Sequence, residues 1–306
     1  MFKLFLGLAA TLAVSTAAVA QPASDPNRLF ADSRLVVRDR FSDEIVGKGP
    51  DLVLIPGLAS SRATWKATAE RLKGHYRLHL IQIAGFAGEP ARGNAAGEVL
   101  VPTAEAIDAY LVQQKLTPAT IVGHSLGGTT TLYISEQHPE HVRKAMMVDS
   151  LPWLAALMAP PGTTRAQIEA QMGRMRDMMN AQAGKPMTAD QLEPQMAQMS
   201  KAKDTRHRVA EWGVASDRTV VARAMYEDTM LDLGPGLATL KTPMVLLYPD
   251  YVPLGMPAAA AKSRYEAAYA PARTVSVRMV TDSAHFIMLD NPAAFDAELD
   301  AFLAKK

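Results

Sequence analysis

This chain of 306 residues contains no cysteine. Disulfide bonds, thiolate metal sites and cysteine nucleophiles are therefore excluded. Aromatic residues make up only 6% of the sequence, and the 32 basic side chains are balanced by 31 acidic ones. A net charge of +1, with no basic stretch interleaved with aromatic residues, offers no electrostatic basis for nucleic-acid binding. We therefore expect no nucleic-acid partner.

Two common cofactor signatures are also missing. No H-E-x-x-H zinc motif occurs, and the pair His138 and His141 flanks a Pro-Glu turn that is expected to face solvent. No G-x-G-x-x-G fingerprint opens a helix after the first strand. We therefore expect neither a catalytic metal nor a bound cofactor.

The N-terminus has the composition of an export signal. Lys3 supplies a positive charge, residues 4–14 form an apolar run, and residues 18–20 (AVA) match an A-x-A cleavage site. The run is short for a membrane span and ends in small residues. We expect residues 1–20 to be removed and the mature bacterial chain, without a stable membrane span, to be periplasmic or secreted.

The most informative segment that is present covers residues 119–131 and reads ATIVGHSLGGTTT. A buried-strand pattern leads into a G-x-S-x-G motif, and a helical pattern follows it. This order describes a nucleophile elbow, in which a tight turn lifts a serine hydroxyl above the end of a sheet. Gly123 and Gly127 provide space where the strand and the helix nearly touch. The elbow makes Ser125 the candidate nucleophile.

Strand and helix patterns alternate along most of the chain, which predicts a mostly parallel central sheet flanked by helices. The predicted strands are residues 35–37, 44–46, 51–55, 76–83, 119–122, 144–148, 243–248 and 274–280. We divide the chain into a loose leader (21–33), an α/β core (34–151 and 236–306) and a helical insertion (152–235). Thr164 and Thr188 are predicted to cap helices of this insertion, and Asn291 the closing helix.

The insertion is rich in methionine and is expected to act as a cap over the sheet edge. In one interpretation, these methionines simply form the core of a small helical subdomain. In the other, unbranched thioether side chains form a deformable apolar lid that excludes water from a site. Phe86 and Trp153 would then form part of the substrate pocket, and the substrate would have a hydrophobic acyl or alcohol part.

A serine nucleophile needs an adjacent general base. His285 follows the last predicted strand in a short loop, at the same edge of the sheet as the elbow. It is therefore the predicted base, which takes the Ser125 proton and later returns it to the leaving group. His124, inside the elbow, is expected to point away from the nucleophile.

An aspartate must hold the His285 ring in the right tautomer, and two candidates follow strands. We favour Asp250, after the strand 243–248, because it completes the chain order Ser, Asp, His. Asp149, which follows the preceding strand, stays open as the alternative acid. Asp282 lies too close to His285 in a short loop to fold back onto the ring.

The attacked carbonyl becomes an oxyanion, which two backbone N–H groups should face. Leu126 supplies the first, at the N-terminus of the elbow helix, where the helix dipole favours negative charge. The loop after the first buried strand supplies the second, and Leu58 is the predicted donor. Leu58 and Leu126 therefore form the predicted oxyanion hole.

These motifs together resemble the α/β-hydrolase superfamily. They are the elbow GHSLGG, the loop Pro56-Gly57-Leu58 with Trp65 beyond it, and His285 with Asn291-Pro292 after it. The resemblance covers residues 35–303 apart from the insertion, which matches the cap that such enzymes carry after the sixth strand. The family's acid motif after the seventh strand usually contains a glycine that is absent around Asp250.

The resemblance implies an exported serine hydrolase that cleaves carboxylic esters through an acyl-enzyme on Ser125. The partner would be a small ester with a hydrophobic part. An amide, peptide or lactone hydrolase with the same triad is the nearest alternative, and haloperoxidase-like or carbon–carbon cleaving members share the motifs. A non-catalytic binding protein on the same fold also remains open.

Overall fold

The computed structural model describes residues 28–155 and 162–305. Within these residues, eight strands form one sheet in the order β1-β2-β4-β3-β5-β6-β7-β8. The strands are β1 (Arg34–Val37), β2 (Phe41–Gly47), β3 (Asp51–Ile55), β4 (Arg77–Ile83), β5 (Ala119–His124), β6 (Val142–Val148), β7 (Met244–Pro249) and β8 (Val275–Val280). The pairs β1–β2 and β2–β4 are antiparallel, and all other pairs are parallel. The predicted signal peptide, 1–20, lies outside the described residues.

Helices lie between and after these strands, and most of them begin where the helical patterns predict them. They are α1 (Lys66–Leu72), α2 (Leu100–Gln113), α3 (Leu126–Gln137), α4 (Arg165–Ala181), α5 (Ala189–Leu192), α6 (Lys203–Ala215), α7 (Arg218–Met230), α8 (Ala258–Tyr269), α9 (Ile287–Asp290) and α10 (Pro292–Ala304). Two separate apolar clusters, one containing Ile121 and Leu246 and the other Val122 and Leu247, pack against opposite faces of the sheet. Because both faces are buried, the central strands β3, β5 and β7 are almost continuously apolar.

The start of the described chain corrects one expectation. Residues 28–33, part of the predicted loose leader, are fixed to the sheet. The Glu44 carboxylate accepts hydrogen bonds from the Leu29 and Phe30 amides and from the Ser33 hydroxyl. Phe30 is 7% exposed and joins the apolar cluster on one face of the sheet. The buried Glu44 carboxylate, 15 residues further along the chain than Leu29, therefore orders a segment whose own composition predicts a loop.

The segment between β6 and β7 contains helices α4 to α7 and, in its described residues, no strand. Thr164 and Thr188 each form a reciprocal capping box with a glutamine three residues later, as their sequences predict. Ile168 and Met172 are buried, whereas Met178 is 62% exposed. Met158 lies outside the described residues. The methionines therefore divide between the interior and the surface of this subdomain.

Hydrogen bonds attach the insertion to the core at several places, two of which involve the loops after β4 and β8. Asp217 N donates to Gly85 O at 2.8 Å, and the Ser216 hydroxyl accepts from Ala87 N at 2.8 Å. At the second place, Phe286 N donates to Met199 O at 3.1 Å. Both places lie at the carboxyl edge of the parallel strands, where a ligand is expected in such sheets. Among the described residues, no helix is long and apolar enough to cross a membrane.

Candidate active site

Ser125 occupies a sharp turn between β5 and α3. It has a φ of 53°, a left-handed conformation that is strained for a residue with a side chain. The turn can close this tightly only because glycine has no Cβ atom. A Cβ on Gly123 would overlap the Gly127 carbonyl, and one on Gly127 would overlap the Ile55 carbonyl. The structure therefore has the strand–turn–helix geometry predicted for a nucleophile elbow, with a partly exposed serine at its tip.

His285 lies in the loop between β8 and α9, with its side chain 19% exposed. Its Nδ1 is 2.6 Å from Oδ2 of Asp149, whose side chain is 3% exposed. The Nε2 atom is thus the ring nitrogen left for a reacting group, and His124, which precedes Ser125, packs against the His285 ring. No hydrogen bond joins the Ser125 hydroxyl to the ring in this structure, and such bonds often tighten only with substrate bound.

Three donors surround the Asp149 carboxylate. Besides His285, the Tyr251 hydroxyl donates to Oδ2 at 2.7 Å, and the Tyr265 hydroxyl donates to Oδ1. Burial alone raises the pKa of Asp149, but the charge of His285 and the hydrogen bonds from His285, Tyr265 and Tyr251 bring this pKa below its ordinary value. Burial and the adjacent Asp149 raise the pKa of both tyrosines well above the usual range, so they remain donors.

Asp250 does not reach the His285 ring, and this corrects the preference for it as the ring's partner. Its Oδ2 accepts from the Asp282 amide at 3.0 Å, and its Oδ1 accepts from the amides of Val252 at 3.2 Å and Ser283 at 3.4 Å. The side chain is thus turned toward the backbone of the loop that carries His285. The alternative, Asp149, holds the ring instead.

Asp290 fixes the same loop from its other side. Its carboxylate accepts from Ala284 N at 2.9 Å and from Lys201 N at 3.3 Å, and it also bonds the Ser200 hydroxyl. The loop before His285 is therefore held by two buried carboxylates, Asp250 and Asp290. One of them also bonds the insertion.

His124 supports the His285 ring from behind. Its ring centroid is 4.6 Å from that of His285, and its Nε2 donates to the His285 carbonyl at 3.0 Å. Burial, with a smaller contribution from His285, lowers the pKa of His124 to about 3, so its ring is neutral. This contact between His124 and His285 was not expected from the sequence.

The two predicted oxyanion donors adjoin Ser125. Leu126 is the first residue of α3, so its N–H has no acceptor within the helix. Leu58 follows Gly57, where an added Cβ would lie 3.0 Å from the Ser125 Cβ. The loop that carries Leu58 therefore lies directly against the serine. The position of both amides is compatible with an oxyanion hole.

Phe86 and Trp153 occupy different surroundings. Phe86 is fully buried in an apolar cluster that includes Leu126 and, at its margin, Leu58. It packs beneath the two candidate oxyanion residues rather than lining an open surface. Trp153 is half-buried against Ile168 and Met172 of the insertion, and its indole N–H has no hydrogen-bond partner. Of the two predicted pocket residues, only Trp153 has an unused polar group.

One group among the described residues has metal-ligand geometry. The ligand atoms of Asp108, His138 and His141 lie within 4.8 Å of one another. His138 and His141 come just before β6, whereas Asp149 comes just after it. A seven-residue strand is roughly 20 Å long, so this group lies far from Ser125. It therefore lies apart from the elbow and the His285 loop.

The comparisons with known proteins agree with this architecture. Residues 50–233 match the sequence model of the alpha/beta hydrolase fold family. A crystal structure of a hydrolase from Pseudomonas aeruginosa superposes with a TM-score of 0.68 and 17% identity, covering 90% of this chain and 99% of that one. An esterase from Exiguobacterium antarcticum has a TM-score of 0.69, with 18% identity over 86% of this chain and 94% of its own. The chain belongs to the α/β hydrolase fold family, and the predicted fold class is confirmed.

Curated relatives share a shorter part of the sequence. A pimeloyl-[acyl-carrier protein] methyl ester esterase from Vibrio vulnificus is 36% identical over 110 residues, which are 36% of this chain and 40% of that protein. A protein of the same name from Aeromonas salmonicida is 34% identical over 121 residues, or 46% of its length. The chain thus matches less than half the length of these relatives.

Proposed function

We propose that this protein is an exported serine hydrolase that cleaves carboxylic esters through an acyl-enzyme on Ser125. The observation that carries this proposal is the hydrogen bond between His285 and Asp149, beside a serine held in a strained elbow. A buried carboxylate on Nδ1 keeps the ring in the tautomer whose Nε2 can accept a proton. The resemblance of part of the chain to methyl ester esterases supports an ester as the substrate.

In the acylation step, the Ser125 oxygen attacks the ester carbonyl while His285 Nε2 takes the hydroxyl proton. The resulting imidazolium is stabilised by Asp149, whose lowered pKa keeps it ionised at neutral pH. The negative charge on the carbonyl oxygen is stabilised by the Leu58 and Leu126 amides. His285 then returns the proton to the leaving alcohol. Deacylation repeats these steps with water as the nucleophile.

Two finer parts of the proposal rest on sequence features. Export is supported by the charge, apolar run and A-x-A site at the N-terminus. An apolar acyl or alcohol part is supported by Trp153 and the partly buried methionines of the insertion, such as Met175, which pack in one apolar cluster.

Labelling with a fluorophosphonate probe tests the nucleophile directly. We expect the wild-type chain to be labelled, Ser125→Ala to lose the label completely, and His285→Ala to be labelled at least 100-fold more slowly. A folded wild-type chain that stays unlabelled would contradict the enzyme proposal. That result would favour a non-catalytic binding protein on the same fold.

A series of p-nitrophenyl esters tests the substrate class. We expect kcat/KM to rise from acetate to octanoate, because each buried methylene adds about 0.8 kcal/mol to binding. Faster turnover of acetate than of medium-chain esters would disprove the apolar part of the proposal, with ester hydrolysis retained. A panel of matching anilides separates an esterase from an amidase.

A further inference from the structure

Asp228, on helix α7 of the insertion, is a buried carboxylate that the proposed mechanism does not use. The residue is 8% exposed, and its Oδ1 atom has no hydrogen-bond partner. Burial raises the pKa of Asp228 to about 6, with the Thr129 hydroxyl and the charge of His285 acting in the opposite direction. An unpaired oxygen in such a place destabilises the fold unless a ligand uses it.

The position of Asp228 on α7 sets it apart from its helical neighbours. Val220, Ala224 and Asp228 are spaced four residues apart and therefore share one face of the helix. Val220 and Ala224 are fully buried in the apolar cluster that contains Leu126. The next residue on this face should also be apolar, but it is an aspartate.

Thr129 connects Asp228 to the core of the site. The Thr129 hydroxyl lies close enough to lower the pKa of Asp228, and its Oγ1 lies 3.3 Å from the Ser150 hydroxyl. The Thr129 amide donates to the Ser125 carbonyl at 3.0 Å, and Ser150 directly follows Asp149. Asp228 therefore borders residues that are next to both the nucleophile and the acid.

Among the described residues, no side chain donates a hydrogen bond to the Oδ1 atom of Asp228. The positive charge of His285 lowers the pKa of Asp228, but its Nδ1 is already held by Asp149. The group that satisfies Asp228 must then come from outside the described chain. It must donate a hydrogen bond, because a carboxylate oxygen only accepts.

We propose that Asp228 is a substrate-binding residue that accepts a hydrogen bond from a hydroxyl group carried by the ester substrate. The inference rests on the proposed ester hydrolysis and narrows its substrate to an apolar ester with a hydroxyl near the scissile bond. A site that leaves a buried acceptor unpaired discriminates strongly against the analogue that lacks the donor. Asp228, which the insertion contributes, would thus make the enzyme prefer esters that carry this hydroxyl group.

Two pairs of esters with matched shapes test this proposal. On the acyl side, p-nitrophenyl 3-hydroxybutyrate is compared with p-nitrophenyl 3-methylbutyrate. On the alcohol side, 2-hydroxyethyl butyrate is compared with propyl butyrate. We expect the wild-type enzyme to favour the hydroxyl member of at least one pair by 10-fold or more in kcat/KM, the range of a charge-assisted hydrogen bond. A ratio near one in both pairs would overturn the proposal without any variant.

Two substitutions then assign this preference to Asp228. Asp228→Asn keeps the shape and one acceptor oxygen, whereas Asp228→Leu removes both acceptors. We expect the hydroxyl preference to fall from wild type to Asn to Leu and to reach about one in the last. Glu136→Gln is the matched control, because Glu136 also has a buried, unpartnered carboxylate oxygen but bonds no residue of the site. A preference that survives in Asp228→Leu would contradict the assignment.

Calorimetric binding of the alcohol-side pair to Ser125→Ala separates this inference from the proposed function. Suppose that Ser125→Ala binds 2-hydroxyethyl butyrate 10-fold more tightly than propyl butyrate, but the wild-type enzyme hydrolyses no ester. The proposed function then fails and the inference stands. If esters are hydrolysed with no preference and bound with no preference, the inference alone fails.

Discussion

Two neighbouring strands, β6 and β7, each run directly into a buried aspartate, yet the two aspartates do different work. Asp149, after β6, contacts the ring of His285, whereas Asp250, after β7, contacts only backbone amides. Asp149 has a φ of 49°, which redirects the chain and turns its carboxylate toward the ring. An aspartate at the end of either strand therefore lies near the site, but the local backbone conformation determines which group its carboxylate bonds.

The two aspartates also have different roles, one in the reaction and the other in holding the site in shape. Asp149 receives three side-chain donors and holds a group that must change its charge during the reaction. Asp250 receives three backbone donors and holds the loop in which that group lies. The first arrangement matters for rate, and the second for the shape of the site.

The largest expected effect is that of Asp149→Asn. We expect kcat for p-nitrophenyl butyrate to fall about 10³- to 10⁴-fold with a small change in KM, because the amide favours the wrong tautomer of His285. Steady-state kinetics and fluorophosphonate labelling rates measure the loss. A loss below 10-fold would show that Asp149 is not the acid of the triad.

Asp250→Asn should act mainly on stability. The amide retains one acceptor for the loop and loses the charge, which costs about 1 to 3 kcal/mol of unfolding free energy. We expect kcat to fall no more than about 10-fold, with a decrease of several degrees in Tm. Calorimetry and the same ester assay measure both quantities. A loss of kcat equal to that of Asp149→Asn would erase the distinction between the two strand ends.

Removing a donor from Asp149 should shift the pH dependence of the reaction. Tyr265→Phe deletes one of the hydrogen bonds that lower the pKa of Asp149, so this pKa rises. We expect the acid limb of kcat/KM to move toward higher pH and kcat to fall roughly 3- to 10-fold.

Tyr269→Phe is the control for this substitution. The Tyr269 hydroxyl donates to the Ser150 carbonyl at 3.1 Å and does not bond Asp149. Its acid limb should coincide with that of the wild type. Equal shifts in the two variants would indicate a general change in packing instead.

The smallest effect concerns a buried carboxylate without the donors that Asp149 has. Burial, together with Asp232, raises the pKa of Glu136 to about 7. A folded-state pKa above the unfolded value stabilises the fold at low pH, and this contribution is lost as pH rises from about 4.5 through about 7. Glu136→Gln should therefore be more stable than the wild type at pH 8, by about 1 to 2 kcal/mol because partial exposure screens the charge.

Denaturant unfolding at pH 5 and pH 8 measures this difference. We expect the gain to shrink at pH 5, where the wild-type carboxyl is already protonated in the fold. A gain of the same size at both pH values would assign it to packing of the amide rather than to ionisation.

Much of the fold was predictable because it depends on local patterns. The strand at 51–55 and the helix caps at Thr164, Thr188 and Asn291 are all found where the sequence indicates them. Apolar periodicity and capping side chains act over a few residues, so they can be interpreted without knowing the rest of the chain. The glycines of the elbow are equally local, and their positions identify Ser125.

The partners of the site were less predictable because they depend on distant contacts. Tyr265 reaches Asp149 from 116 residues away, and Tyr251 reaches it by adopting a φ of 54°. No sequence motif indicates either this contact or this backbone angle. The ordering of residues 28–33 could not be predicted for the same reason, because it depends on a distant hydrogen-bond acceptor, Glu44. Asp228 did leave a local signal, since it interrupts an apolar helix face.

The hydrogen bonds between the insertion and the loop of His285 have a mechanical consequence. Met199, Ser200 and Lys201 bond the residues on both sides of the base, so this end of the insertion cannot lift away without displacing His285. Helix α4 packs mainly against α7 and is free of that connection. We therefore expect the segment 199–201 and the loop of His285 to move together as one unit, whatever α4 does.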